Sequence, residues 1–317
     1  MNCVCISFSL SATEAASLEN LRVLYQSDDF IVVDKHWDLR IDSKMWYEKN
    51  TVQAQLRHRF PLLADPDTYY GFRFCHQLDF STSGALCVAL NKAAAGRAYR
   101  CFKDRTVTKA YIALLRGWVE EENRTINFSI GKTSTEGKTH MMCIEGTEGC
   151  ENPKACQTEL SVLEYGTYDG EPATKVLLEP LTGRTHQLRV HCSAVGHPIV
   201  GDFTYSLGVD DAPYRMMLHA HLLRLPLEPH TLQVTAGDPF QPYVDPKWLP
   251  QRTLRTAEGA VESLLDSVTA MEEQLEEEKE KKWKEAEEER RKEKKKKAES
   301  EEQKRLCQDW LSEWSGE

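Results

Sequence analysis

The stretch CHQLDFSTSGALCVALNK, Cys75 to Lys92, decides how this chain folds and where its chemistry sits. It places one acidic side chain, Asp79, between an apolar lead-in and a small-residue turn. The unbroken apolar run from Ala85 to Leu90 then reads as a buried strand. A carboxylate on a short connection backed by a rigid element is a candidate nucleophile. Taken alone, an Asp beside Ser-Thr-Ser also fits a turn or a cap, so the segments on either side must decide.

Upstream, LRVLYQSDDFIVVDKH alternates around the polar break Gln26 to Asp29, which predicts two antiparallel strands, the second ending at Lys35. A short helix is expected over Thr51 to Arg59, capped by Thr51, stopped before Pro61 and leaving Arg57 and Arg59 outside its apolar set. Downstream, AAAGRAYRCFKDR reads as a helix despite Gly96, with Tyr99 and Phe102 three apart on one face. A strand starts near Val107 and carries KAYIALLRGWV, with Tyr111 near its beginning. A Tyr in such a strand also fits a packed core position. Glu120 to Pro153 is polar and glycine-containing, and reads as a hairpin-like insertion with mobile loops of the kind that contact large ligands. Strands return at Gln157 to Tyr165 and Thr174 to Leu181. A helix beginning near Thr185 sets His186 and Arg189 three residues apart on related faces, and Gly201, Asp202 and Tyr205 follow a Pro-Ile-Val turn. This mixture of strands and helices is compatible with an α+β class.

With 317 residues, 40% of them apolar, the chain holds one large core or two small ones. No run approaches the eighteen apolar residues of a membrane span. The first residues lack a basic lead and contain Glu14 and Glu19, which disfavours a signal or mitochondrial presequence. Ten scattered cysteines without a repeated CxxC pair fit reduced thiols in an intracellular compartment, the cytoplasm first, with nucleus and mitochondrion left open. His186, His191, His197, His219 and His221 lack a metal-site spacing, so no metal is expected.

Residues 258–317 hold 20 acidic against 13 basic residues, which places −7 of the −10 net charge there and leaves the body at −3. A nearly neutral body can still bind a polyanion such as a nucleic acid through a local basic cleft, for which Arg97, Arg100, Lys103, Arg105, Lys109 and Arg116 are candidates; the first four also fit a solvated helix face. Beyond a proline-marked connector, Pro242 to Pro250, apolar residues from Leu254 to Leu275 recur at helical spacing. The segment EEEKEKKWKEAEEERRKEKKKK then reads as a solvated or frayed single helix. Trp310, Leu311 and Trp314 near the end form an apolar cluster suited to a protein partner. The expected organisation is a leader (1–17), a catalytic domain (18–250) and a charged helical or disordered tail (251–317).

Three blocks in this order resemble the catalytic motifs of RluA-type pseudouridine synthases: CHQLD with its following strand, KAYIALLRG (Lys109 to Gly117), and LEPLTGRTHQLRVHCSAVGHPIVGDFTY (Leu178 to Tyr205). The resemblance covers roughly Leu21 to Pro239. It implies a mixed, mostly antiparallel sheet flanked by helices, with an RNA cleft across the middle. It also implies Asp79 as nucleophile, Tyr111 stacked on the target base and Arg189 paired with the nucleophile. The residues it turns toward RNA are His76, Gln77, Thr82, Ser83 and Gly84 from the first block and Arg184, His186 and Gln187 from the third. The activity implied is isomerisation of uridine in RNA, with the nucleotide flipped out of its stack. The isomerisation involves no net redox change or group transfer, so no cofactor is expected.

Two positions depart from the family pattern. Gln77 stands where the block usually carries Arg, and loses both charge and the planar guanidinium. Lys35-His36-Trp37 stands where relatives often show Lys-Pro. Gln77 and the long tail keep a second reading open, an RNA-binding or scaffold protein with impaired catalysis. A serine or cysteine hydrolase has no support, for there is no GxSxG and no His-paired cysteine motif.

Overall fold

The computed structural model describes residues 14–69 and 71–314. The expected leader therefore lies largely outside the described residues. Residues 14–17 are tied to the body: the carbonyls of Ala16 and Ser17 accept from the side chains of Asn50 and Gln55.

The first hairpin forms as its alternation predicts, from β1 (Arg22–Gln26) and β2 (Phe30–Lys35). The helix α1 (Val52–Arg59) follows, with the Thr51 hydroxyl accepting the Ala54 N–H. The two-residue β3 (Arg73–Phe74) leads into the Asp79 loop, and β4 (Ser83–Ala89) leaves it, buried at every position. Its apolar run is unbroken because both of its faces are covered. Phe30, Val32, Ala85, Cys87 and Ala89 pack on one face with Ala94, Ala98 and Cys101 of α2 (Lys92–Lys103). Ile31, Val33, Leu86 and Val88 pack on the other with Val52 and Leu56 of α1. Each Val, Leu, Ile or Phe side chain among them contributes about 1.5–3 kcal/mol of burial. The loop bearing Asp79 thus enters a strand held from both sides.

The remaining elements follow in chain order. β5 (Thr108–Arg116) crosses the middle of the sheet, and β6 (Asn123–Ile126) pairs with residues 158–161 of a later strand. β7 (Ile130–Thr133), β8 (Met142–Ile144) and β9 (Cys150–Lys154) make a small separate sheet in the order β8-β7-β9. The stretch read as a hairpin-like insertion is therefore a three-stranded sheet plus an edge strand. It has a core of its own, in which Ile130 and Cys156 meet Val190 and Tyr205. β10 (Thr158–Tyr168), β11 (Glu171–Pro180), α3 (Gln187–Ala194), β12 (Leu218–Leu227), β13 (His230–Thr235) and β14 (Trp248–Thr253) complete the body.

The main sheet runs β1-β2-β4-β12-β5-β11-β10-β14, with β3 on β4, β13 on β12 and β6 on β10. Among the described residues its one parallel pair is β4 with β12. The fold is α+β, a mixed and mostly antiparallel sheet with flanking helices, as the resemblance implies. A domain end at residue 250 is corrected: β14 runs through Thr253 on β10, and the first compact unit extends to Val261. Strands β12 and β13 lie outside the expectations drawn from the sequence.

The second unit, residues 262–317, is described through Trp314 and belongs to α4 (Ala257–Trp314), a single helix of 58 residues. Four ion pairs place the acid four residues ahead of the base, Glu278–Lys282, Glu280–Lys284, Glu287–Arg291 and Glu288–Lys292, the favourable order along a helix. No described helix is long and apolar enough to cross a membrane.

Candidate active site

A cleft of about 240 Å³ opens between the Asp79 loop, the start of β5, the end of β11 and residues 182–189. Asp79, Tyr111 and Arg189, far apart in sequence, meet there. The Asp79 carboxylate Oδ2 lies 3.4 Å from Arg189 Nη1, and its side chain is 28% exposed, open to a ligand. A turn closed by the Thr82 N–H on the Asp79 carbonyl at 3.2 Å shapes the loop.

Arg189 is the more constrained partner. Its Nε and Nη2 donate to Asp202 Oδ2 and Oδ1 at 2.7 and 2.8 Å, and its guanidinium lies 5.0 Å from the Tyr205 ring centre. Burial works against its charge, but the bonds to Asp202 and the nearby carboxylates outweigh burial and hold Arg189 above its ordinary value. It is a permanent cation beneath the cleft.

Tyr111 and Lys109 stand two apart on β5 and so face the same side of the sheet, into the cleft. Burial first, then the Asp79 charge, pushes the Tyr111 phenol well up, so it stays protonated. Lys109 reaches the Thr182 carbonyl at 3.4 Å, and burial lowers its ammonium. His76, also on the cleft wall, accepts the Cys87 N–H on Nε2 at 3.0 Å and stacks on Phe102. Burial, with Lys109 second, pushes His76 down to about 3, so the ring is neutral. Gln77, exposed, and Thr82 also line the cleft, as does Arg184, whose guanidinium donates to the Ala155 carbonyl.

Helix α3 starts at Gln187, two residues later than the expected Thr185, because His186 takes a left-handed conformation (φ 54°) and ends the preceding loop. His186 still lines the cleft, and its Nδ1 is 2.9 Å from the Tyr205 hydroxyl, which also accepts the Met142 N–H at 2.9 Å. Burial lowers the His186 ring, with the Asp79 charge opposing. The small sheet thus reaches the site through one tyrosine.

Three residues expected to face RNA do other work. Ser83 and Gly84 lie inside β4, outside the cleft lining. The Ser83 hydroxyl is taken by His219 Nδ1 and Arg215 Nη2. Gly84 (φ +109°) lets β12 approach, since a Cβ there would sit 2.3 Å from the Ala220 carbonyl oxygen. Gln187 borders the cleft, yet its amide is saturated: NH₂ donates to Gln157 O and Thr158 Oγ1, and Oε1 accepts from Thr182 Oγ1 and Arg184 N. It holds the 182–184 loop.

Two further candidate cations are paired elsewhere. Arg97 pairs with Asp29 and Arg116 with Asp210, which removes both from the basic cleft. Lys35 is fully buried, and its Nζ donates to the carbonyls of His36, Leu39 and Phe80, so it fixes the residue after Asp79. Burial, then Arg215, pushes it down to about 7. Sequence reading gives no role to Lys35, Asp202 or Tyr205. A signal for Asp202 exists, because a buried arginine needs a carboxylate partner. Among the described residues no group of three or more His, Cys, Asp or Glu side chains is arranged to hold a metal ion.

A family model for RNA pseudouridylate synthases matches residues 29–194. The chain belongs to the RNA pseudouridylate synthase family. Within it, the chain is 67% identical to RNA pseudouridylate synthase domain-containing protein 1 of Danio rerio over 303 residues, 95% of this chain and 99% of that protein. It is 32% identical over 207 residues to the dual-specificity RNA pseudouridine synthase RluA of Escherichia coli K12, 65% of this chain and 86% of that one. The solved structure of human RNA pseudouridylate synthase domain containing 1 aligns with a TM-score of 0.72 at 57% identity, covering 81% of this chain and 98% of that chain. The pseudouridylate synthase match contains Asp79, Tyr111 and Arg189 but stops short of Asp202 and Tyr205.

Proposed function

We propose that this synthase-family protein isomerises uridine to pseudouridine in RNA, with Asp79 as nucleophile. The observation that carries the reading is an accessible carboxylate facing the Arg189 cation in a cleft that also presents the Tyr111 ring. The reaction breaks the bond from ribose C1′ to uracil N1 and makes one from C1′ to C5, with the C5 proton lost and a proton gained at N1. Asp79 attacks or deprotonates the sugar. Arg189 offsets the carboxylate charge, and Tyr111, a neutral phenol, gives the freed uracil an apolar face. The neighbouring Leu78 and Leu218 exclude water and strengthen these contacts. Reaching the cleft requires the nucleotide to flip out, at about a few kcal/mol. Ten scattered cysteines without a repeated CxxC pair support an intracellular, reducing compartment.

Gln77 supports the competing reading, an RNA-binding protein without turnover, because an exposed amide replaces the family's guanidinium at the cleft wall. One experiment separates the two: purified protein is incubated with total RNA and pseudouridine is quantified by mass spectrometry, for wild type and Asp79→Asn. Turnover by wild type and a loss of about 10⁴-fold or more in the variant is the expected result. RNA affinity without wild-type turnover favours the binding protein, and full activity of Asp79→Asn removes the nucleophile assignment.

A further inference from the structure

Arg189 is shared unevenly between two carboxylates. Asp202, with a side chain 0% exposed, takes the Nε and Nη2 edge in two bonds of 2.7 and 2.8 Å. Asp79 receives one N–H, from Nη1, at 3.4 Å. A planar guanidinium forked on one edge has its plane and rotation fixed, so the fork also determines where Nη1 points. The Tyr205 ring beneath it limits tilt. Asp202 is itself anchored: its N–H donates to Ile199 O, its carbonyl accepts the Ser206 N–H, and Oδ1 accepts the Tyr205 N–H at 3.1 Å.

We infer that Asp202 is a positioning residue for the reaction, acting through Arg189, and this rests on the function proposed above. By occupying the bidentate edge and offsetting part of its charge, it keeps Arg189 from closing on Asp79 in a tight two-bond pair. The nucleophile faces a cation and stays free to move onto the sugar. Without the fork, the guanidinium is drawn to the remaining carboxylate, and an Asp79 held in two short bonds is a poorer nucleophile.

The test is Asp202→Asn, chosen because its amide oxygen still accepts the Tyr205 N–H while charge and one guanidinium acceptor are lost. Expected are a fall of roughly 10- to 100-fold in kcat and RNA affinity within about twofold of wild type. The same substitution in an Arg189→Gln background adds less than about twofold, because a residue that works through Arg189 has nothing left to position. That arm is followed over long single-turnover incubations and read per folded molecule, because the Arg189→Gln reference leaves the buried Asp202 carboxylate without its cation whereas the double variant carries no unpaired buried charge. A loss of affinity at unchanged kcat, or losses that multiply in the Arg189→Gln background, overturns the assignment while wild-type turnover keeps the proposed function. Absence of wild-type turnover overturns both.

Discussion

Gly84, five residues after Asp79, shows how a residue of the same block serves the fold. Its φ of +109° and the 2.3 Å between a would-be Cβ and the Ala220 oxygen leave no room for any side chain. Gly84→Ala is expected to cost about 3 kcal/mol or more, from backbone strain and the forced separation of β4 from β12, the parallel pair behind the cleft. Urea denaturation of the purified variant measures this, and an unchanged midpoint refutes it. Asp79, Tyr111 and Arg189 are singled out in sequence because each sits in a block that resembles a family motif, and the structure brings the three to one cleft. Ser83, Gly84 and Gln187 share those motifs, but nothing local tells whether a polar atom meets a ligand or a neighbouring strand. Ser83 meets His219 and Gln187 meets Thr158, both distant in sequence. Asp202 escapes sequence reading for the complementary reason: its partner is a side chain on another element, and its own motif names no chemistry.

Among the elements, the early strands and helices are readable because hydrophobic period and turn signals agree, as at Thr51, whose side chain accepts an N–H of its helix's first turn; the Asn91 side chain does the same for α2. The boundary near Pro250 is misplaced by sequence because proline there looks like a linker. β14 tolerates Pro250 because it is an edge strand, paired through β10 on one side. Gly166 of β10 lies so close that a Cβ would sit 2.2 Å from the Leu249 oxygen, and Trp248 at the strand's start is 0% exposed. A chain ending at Lys247 loses both this strand and the Trp248 indole, whereas one ending at Leu275 keeps them and removes only most of α4. The shorter chain is expected to melt lower by several degrees or to aggregate, through the lost burial and the newly exposed edge of β10. The longer one keeps the full-length melting temperature to within about 2 °C, since the ion pairs removed with the tail are exposed and contribute little. Equal melting of the two truncations would show that β14 is dispensable.

For the whole molecule, the distribution of titrating groups sets the response to acid. All ten histidines lie in the body and none in residues 258–317, so the highly charged tail plays little part near neutral pH. Burial lowers His76 to about 3, His219 well below its ordinary value, and His186, His191 and His221 to a smaller degree. Folded, these rings stay neutral; unfolded, they take up protons as pH falls through about 6.5. The unfolded state therefore binds more protons below that point, and stability present above it drains away as pH falls toward the folded values. His76 and His219 alone contribute a loss of about 3 kcal/mol by pH 5.5, at about 1.4 kcal/mol per group per unit. Asp34 and Glu179, raised by burial, bind protons more readily when folded and oppose this, but they are two carboxyls against five rings. The urea midpoint is thus expected to be lower at pH 5.5 than at pH 7.5. If it is equal or higher, the histidines in and behind the cleft are not held neutral by burial, and the dry surroundings inferred for the site lose their support.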